Sequence, residues 1–395
     1  MDVSKRIKKM SESPIRKLIP VSDQVKKEGV HVYHLNIGQP DIETPKAFYQ
    51  AIANYKQPVL KYADSRGILP LRQAYQAYYD RAGFAFSTDE ILVTNGGSEA
   101  LLFALMTLCD PGDQVLVPEP FYTNYNAFAL AGDIEIIPIP TNWDTGFSLP
   151  DKATIEALIT PKTRAILVSN PGNPTGKVLH DEEMRLLVDL LVEHEIFLIA
   201  DEVYREFVYG GSWRSFAEFD ELKENLIVVD SVSKRYSACG ARIGVLASKN
   251  ALFIKETLKL CQGRLCVPTL EQIGAVELLA RTDNTLPAMV EEYQVRRDVM
   301  TESLKKIPGV KFHCPEGAFY MIIELPVSDA EDFVRWMLGE FQDQGETLMV
   351  SPAKDFYKTP GRGLSEVRIS YVLKKEDLIR SMEILQLALK AYQEK

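Results

Sequence analysis

From Ile91 to Ala247 the chain alternates short β-rich runs with amphipathic stretches, and this alternation restricts the available folds more than any other feature. The strand-like runs are Ile91–Thr94, Gln114–Val117, Ile134–Ile139, Arg164–Ser169, Ile196–Ala200, Leu226–Asp230 and Arg242–Ala247. Helical patterns fall between several of them, at Glu99–Leu108, Thr123–Leu130, Lys152–Ile159 and Asp181–Glu195. A helix between two strands returns the chain to the same end of the sheet, so such strands run parallel. The spacing predicts an α/β fold with a mostly parallel sheet of seven strands and helices on both faces. Leu187–Val192 has the apolar density of a helix packed on that sheet.

The ends read differently. Residues 1–40 are polar until Tyr33–Gly38. A long helical pattern runs from about Thr282 to Lys306, then a buried-strand pattern, Gly317–Ile323, and a final helix, Lys375–Tyr392. The predicted organisation is a large α/β domain over 41–281 and a smaller α+β domain made from both termini, 1–40 and 282–395. In open α/β sheets ligands bind beyond the carboxyl ends of the strands.

Whole-chain properties exclude several classes. The formal charge is −10, from 45 basic and 55 acidic residues, which disfavours a general nucleic-acid surface. No stretch approaches the ~20 apolar residues of a membrane helix. The basic N-terminus, Met1–Met10, has no apolar run behind it and is not read as a secretory signal. Five cysteines form no CxxC pair, which fits a reducing cytoplasm. There is no HExxH and no His/Cys cluster of zinc-like spacing, so no metal site is expected.

Four strings after strands carry chemistry. In Ser231-Val232-Ser233-Lys234-Arg235-Tyr236-Ser237-Ala238-Cys239-Gly240-Ala241-Arg242, a lysine at the end of an apolar run follows two serines and precedes an arginine. An amine suits an aldehyde, and hydroxyls with a guanidinium suit a phosphate; pyridoxal phosphate carries both groups. Thr94-Asn95-Gly96-Gly97-Ser98-Glu99 joins a strand to a helix, where backbone N–H groups can hold an anion, or where a glycine turn is simply capped. Ser169-Asn170-Pro171-Gly172-Asn173-Pro174 is a rigid loop with an asparagine to donate. Asp201 closes the run Ile196–Ala200; a carboxylate there is either a helix cap or the partner of a buried cation such as a protonated pyridine. Arg368, in Glu366–Tyr371, offers a fork for a carboxylate or a surface ion pair.

Together, and in this order from Asn36 to Arg368, these strings resemble the class I aminotransferases among the fold-type I pyridoxal-phosphate enzymes, the bacterial aspartate enzymes most of all. The resemblance implies that Lys234 joins the cofactor aldehyde and later moves the proton, with its amine pKa lowered. It implies that Asp201 pairs with the pyridine nitrogen, and Tyr204 and Asn173 with the ring hydroxyl. Gly97, Ser98, Glu99, Ser231, Ser233 and Arg242 would hold the phosphate, and Tyr122 would stack on the ring. Arg368, Asn173 and the Gly38 backbone would bind the substrate α-carboxylate. Tyr62 matches a tyrosine that reaches the neighbouring subunit's phosphate, which implies a homodimer with shared sites. Ser98 and Tyr122 depart from residues common in aspartate-type relatives, lysine and tryptophan respectively. Arg264 is the candidate to enter the partner's site and hold a distal carboxylate.

The expected activity is amino-group transfer from L-aspartate to 2-oxoglutarate. Aromatic amino acids, kynurenine and alanine remain as other donors, and a carbon–sulfur or cyclising lyase as another use of the cofactor. A cofactor-sensing regulator would need a DNA-binding domain; only about 35 residues precede the core, fewer than one requires.

Overall fold

Seven strands form one sheet, ordered Ile91–Asn95, Ile243–Ala247, Leu226–Ser231, Phe197–Asp201, Thr163–Ser169, Gln114–Glu119, Glu135–Pro140. The computed structural model describes residues 1–395. Every pair is parallel except those made by Ile243–Ala247, which is antiparallel to both neighbours. The link before that strand holds only a one-turn helix, Val232–Arg235, and a 3-10 turn, Cys239–Ala241. It is too short to carry the chain back for a parallel entry.

Side chains alternate across the buried strands, as the period of two requires. Ile166, Val168, Leu198, Ala200 and Val228 pack on one face with the Asp181–Glu193 and Thr269–Leu279 helices. Ala165, Leu167, Ile199, Ile227 and Val229 pack on the other with the Gly96–Leu108 and Asn124–Ala131 helices. All seven expected strands are present, each within two residues of its expected ends.

A second core gathers both ends of the chain. A four-stranded antiparallel sheet is ordered Ser351–Pro352, Glu366–Ser370, Tyr320–Glu324, Lys311–Phe312. Beside it, His31–His34 pairs in parallel with Glu346–Met349. Leu18, Leu35, Phe333, Ile369 and Leu385 share one apolar cluster, into which Tyr204 and Phe207, just after Asp201, also insert. The two cores therefore meet at the carboxyl end of the Phe197–Asp201 strand.

The differences from expectation have local causes. The buried strand starts at Tyr320 rather than Gly317, because Ala318 has φ 54° and breaks the extended run. Arg242 also has φ 54°, so its strand begins at Ile243. The Leu69–Arg81 helix was not expected; its buried positions include Leu71, Tyr75 and Tyr79, and tyrosines at helical spacing look like surface in a sequence.

Candidate active site

The parallel strands deliver Asn95, Ser169, Asp201 and Ser231 to one edge of the sheet, each at a carboxyl end. After Ser231 the chain turns into Val232–Arg235. Ser231 Oγ caps this turn by accepting from the Ser233 N–H, and it donates to the Ile243 carbonyl at 2.8 Å. Lys234 is thereby aimed off the sheet. Its Nζ donates to the Gly38 carbonyl at 2.9 Å, and Tyr122 and Arg368 lie within electrostatic reach.

The expected lowering of the Lys234 pKa concerns the loaded enzyme; in the protein alone the balance of causes differs. Burial pulls it down, but the phenols and thiol of Tyr320, Cys239 and Tyr122 outweigh that, and the net direction is upward.

Asp201 is 4% exposed and has no ion-pair partner within the chain. Its Oδ2 accepts from the Tyr125 hydroxyl at 2.7 Å. Burial pushes its carboxyl up to about 6, against the pull of that hydrogen bond. At the other end of the site Arg368 is 1% exposed, and it too lacks a carboxylate partner. It donates to Asn173 Oδ1 at 3.1 Å and to the Asn36 carbonyl at 2.5 Å, and its Nε is unpaired. Burial lowers its pKa from the usual arginine value, which leaves a guanidinium short of a counter-ion. An isolated buried charge is costly unless a partner arrives. The site holds two such charges of opposite sign, with Lys234 near both.

The anion cradle is also assembled. Gly97, Ser98 and Glu99 form the first turn of the Gly96–Leu108 helix, whose N–H groups point outward at an end of positive dipole. Arg242 packs over this turn: a Cβ on Gly96 would lie 2.4 Å from Arg242 Nη2. Ser231 and Ser233 are buried beside it, and the Ser237 hydroxyl is buried without a partner. These residues fit pyridoxal phosphate. In the expected arrangement Asp201 would meet the ring nitrogen, Lys234 the aldehyde, and the serines, Arg242 and the helix turn the phosphate.

The remaining expected residues are placed as follows. Tyr204 is buried, its hydroxyl 2.8 Å from that of Tyr320. Tyr122 accepts from Asn124 at 2.7 Å and meets Tyr125 edge-on. Tyr62 is 81% exposed and touches nothing of its own chain's site. Within its own chain Arg264 Nε lies 3.4 Å from Glu99 Oε2 and its Nη2 donates to the Val93 carbonyl, so it braces the cradle. Sequence reasoning missed Tyr125 and Tyr320. Tyr125 was legible as the second tyrosine of Tyr122-Thr123-Asn124-Tyr125, on a helix leading out of a strand; nothing local marked Tyr320.

A family model described as aminotransferase class I and II matches residues 30–385. Among curated proteins, the aspartate aminotransferase of Musicola paradisiaca is 29% identical, covering 99% of this chain and 97% of that one. Among solved structures, an aspartate aminotransferase from Thermotoga maritima matches with a TM-score of 0.90 at 30% identity, covering 98% of this chain and 100% of that one. An alanine aminotransferase from Pyrococcus furiosus matches with a TM-score of 0.90 at 28% identity, covering 99% and 100%.

Proposed function

The chain belongs to the class I and II aminotransferases, and on that footing we propose that it transfers an amino group from L-aspartate to 2-oxoglutarate. Amino-group transfer with pyridoxal phosphate is the chemistry of the family. The observation that carries the assignment of the site is Arg368, a fully buried guanidinium with no carboxylate of its own. Every donor and acceptor in amino transfer presents an α-carboxylate, and a planar fork binds one through two hydrogen bonds.

When bound, the cofactor supplies an aldehyde that takes up the amino group and an electron-poor ring that holds the carbon's electron pair. Lys234 gives and takes the proton at the substrate α-carbon through Nζ, positioned by the Gly38 carbonyl. Asp201 holds the ring nitrogen as a cation, and Tyr125 orients Asp201. Tyr204 and Asn173 hold the ring oxygen, and Tyr122 covers the ring face. Ser98, Ser231, Ser233 and Arg242, with the Gly97–Glu99 backbone, hold the phosphate. Asn173 and the Gly38 segment complete the carboxylate site around Arg368.

Tyr62 serves the neighbouring copy of a homodimer. Its exposure beside exposed Val59 and Leu60 supports this reading. The chain divides into a large domain, 41–281, and a smaller one from 1–40 and 282–395. Five free cysteines suit a reducing cytoplasm.

L-Aspartate as donor draws its support from relatives bearing that name. One observation favours a second reading, a donor with an uncharged side chain such as L-alanine: Arg264, the candidate for a distal carboxylate, is already engaged by Glu99. The test is the visible absorbance of the loaded enzyme mixed separately with L-aspartate, L-alanine, L-phenylalanine and L-kynurenine. Bleaching by L-aspartate and recovery on adding 2-oxoglutarate is the expected result. Bleaching by another amino acid alone replaces the donor; hydrogen sulfide, pyruvate and ammonia released from added L-cysteine with no oxo acid replaces transfer by elimination.

A further inference from the structure

Tyr320 has no role in the assignments above, yet it touches several of the groups they name. It stands on the Tyr320–Glu324 strand of the smaller sheet and is 2% exposed. Its hydroxyl lies 2.8 Å from that of Tyr204. It also lies 3.5 Å from the Gly38 carbonyl that accepts from Lys234 Nζ, a longer contact than the one to Tyr204, toward which its single proton is directed. Its ring carries the Arg368 guanidinium, whose central carbon is 4.7 Å from the ring centroid. The approach to Gly38 is close enough that a Cβ there would sit 1.7 Å from the Tyr320 oxygen. Glycine at 38 is what leaves room for the phenol.

We propose that Tyr320 is a positioning residue for amino transfer: its hydroxyl orients Tyr204 as a donor to the cofactor ring oxygen, and its ring backs the Arg368 fork. This rests on the reading that places Tyr204 at the ring oxygen. Tyr320 is the one hydrogen-bond partner of the Tyr204 hydroxyl, which is buried away from water. A phenol that accepts a hydrogen bond donates a stronger one, because the accepted bond polarises its own O–H. The Tyr320 ring acts separately, through its negative face under a guanidinium that lacks a carboxylate. One side chain of the smaller sheet thus bears on both the cofactor oxygen and the substrate carboxylate.

The two parts separate by substitution. The proton shared between the cofactor's ring oxygen and the Lys234 nitrogen leaves at lower pH when a donor holds that oxygen. A pH titration of visible absorbance on the loaded parent, Tyr204→Phe, Tyr320→Phe and Tyr320→Leu reads this directly. Tyr320→Phe is expected to raise the midpoint by roughly half a unit to one unit, the worth of one hydrogen bond. Because it keeps the ring, it should leave the dissociation constant of succinate within about twofold. Tyr320→Leu should raise the midpoint equally and weaken succinate roughly two- to tenfold. An unmoved midpoint in Tyr320→Phe beside a raised one in Tyr204→Phe overturns the proposal and keeps the Tyr204 assignment. Unmoved midpoints in both remove that assignment, and this inference with it. Succinate weakened equally by Phe and Leu overturns the role of the ring.

Discussion

Replacing Arg368 by leucine separates function from stability at one residue. In the protein alone the guanidinium is buried, unpaired by any carboxylate and held by only two acceptors, Asn173 Oδ1 and the Asn36 carbonyl. The substitution removes a buried charge, whose effective penalty is several kcal/mol. It also orphans those two acceptors, at ~1–3 kcal/mol each. The terms oppose and are of similar size, so the melting temperature of the free variant should stay within about 5 °C of the parent. Toward substrate nothing cancels. Two hydrogen bonds from a charged donor are worth ~3–6 kcal/mol, so kcat/KM should fall roughly 10²- to 10⁴-fold. The loss should be shared by all amino acids, since each presents the same α-carboxylate. The assays are kcat/KM with several amino acids and thermal melts with and without succinate. At 100 times its Kd a ligand stabilises the parent by ~2.7 kcal/mol; the variant should gain almost nothing. A kcat/KM within tenfold of the parent for every donor would refute the argument, as would a loss confined to one donor, which would make Arg368 a reader of the side chain.

Three further outcomes are expected. Lys234→Ala should abolish turnover while the cofactor still binds without a covalent link, seen as a free-aldehyde spectrum; near-normal transamination would remove the lysine from the mechanism. Gly38→Ala forces a methyl group onto the Tyr320 oxygen and should cut kcat/KM at least tenfold, by a misplacement argument. Gly240→Ala, with open space at its Cβ, should change little, and equal effects of the two would show that the Gly38 contact is unimportant. The cofactor-free protein should lose stability as pH rises. Burial holds Asp201 up to about 6 and Glu202 to about 7, and raises Glu206 as well. The unfolded chain releases these protons near pH 4, so the folded state binds more protons between about pH 4 and 7 and stability falls across that window. Melting should be lower at pH 8 than at pH 5, and pyridoxal phosphate should restore part of the difference by supplying a cation to Asp201. A higher melting temperature at pH 8 without cofactor would contradict the sign.

Much of the site was readable because its parts are local. Asp201, Ser231 and Asn95 each stand where an apolar run stops, and a run's end is visible in a dozen residues. The turn holding Lys234 is defined by Ser231 and Ser233 on one side and Arg242 on the other, all within one short link. Tyr320 was not readable, because its hydroxyl partners, Tyr204 and Gly38, lie 116 and 282 residues away along the chain. The Arg264–Glu99 contact was not readable for the same reason: Glu99 belongs to a turn far earlier in the chain.

The sequence by itself determined the seven strands, their largely parallel sense and the order of the chemical groups along the sheet's edge. Hydrophobic periodicity and crossover length are properties of contiguous residues, and they act before any distant contact forms. Only the tertiary structure decided the electrostatics. It left Asp201 and Arg368 buried without ion-pair partners, gave Arg264 a carboxylate in its own chain, and set burial against the groups of Tyr320, Cys239 and Tyr122 around Lys234. The cost of a charge depends on every element packed around it, and those elements come from both ends of the chain.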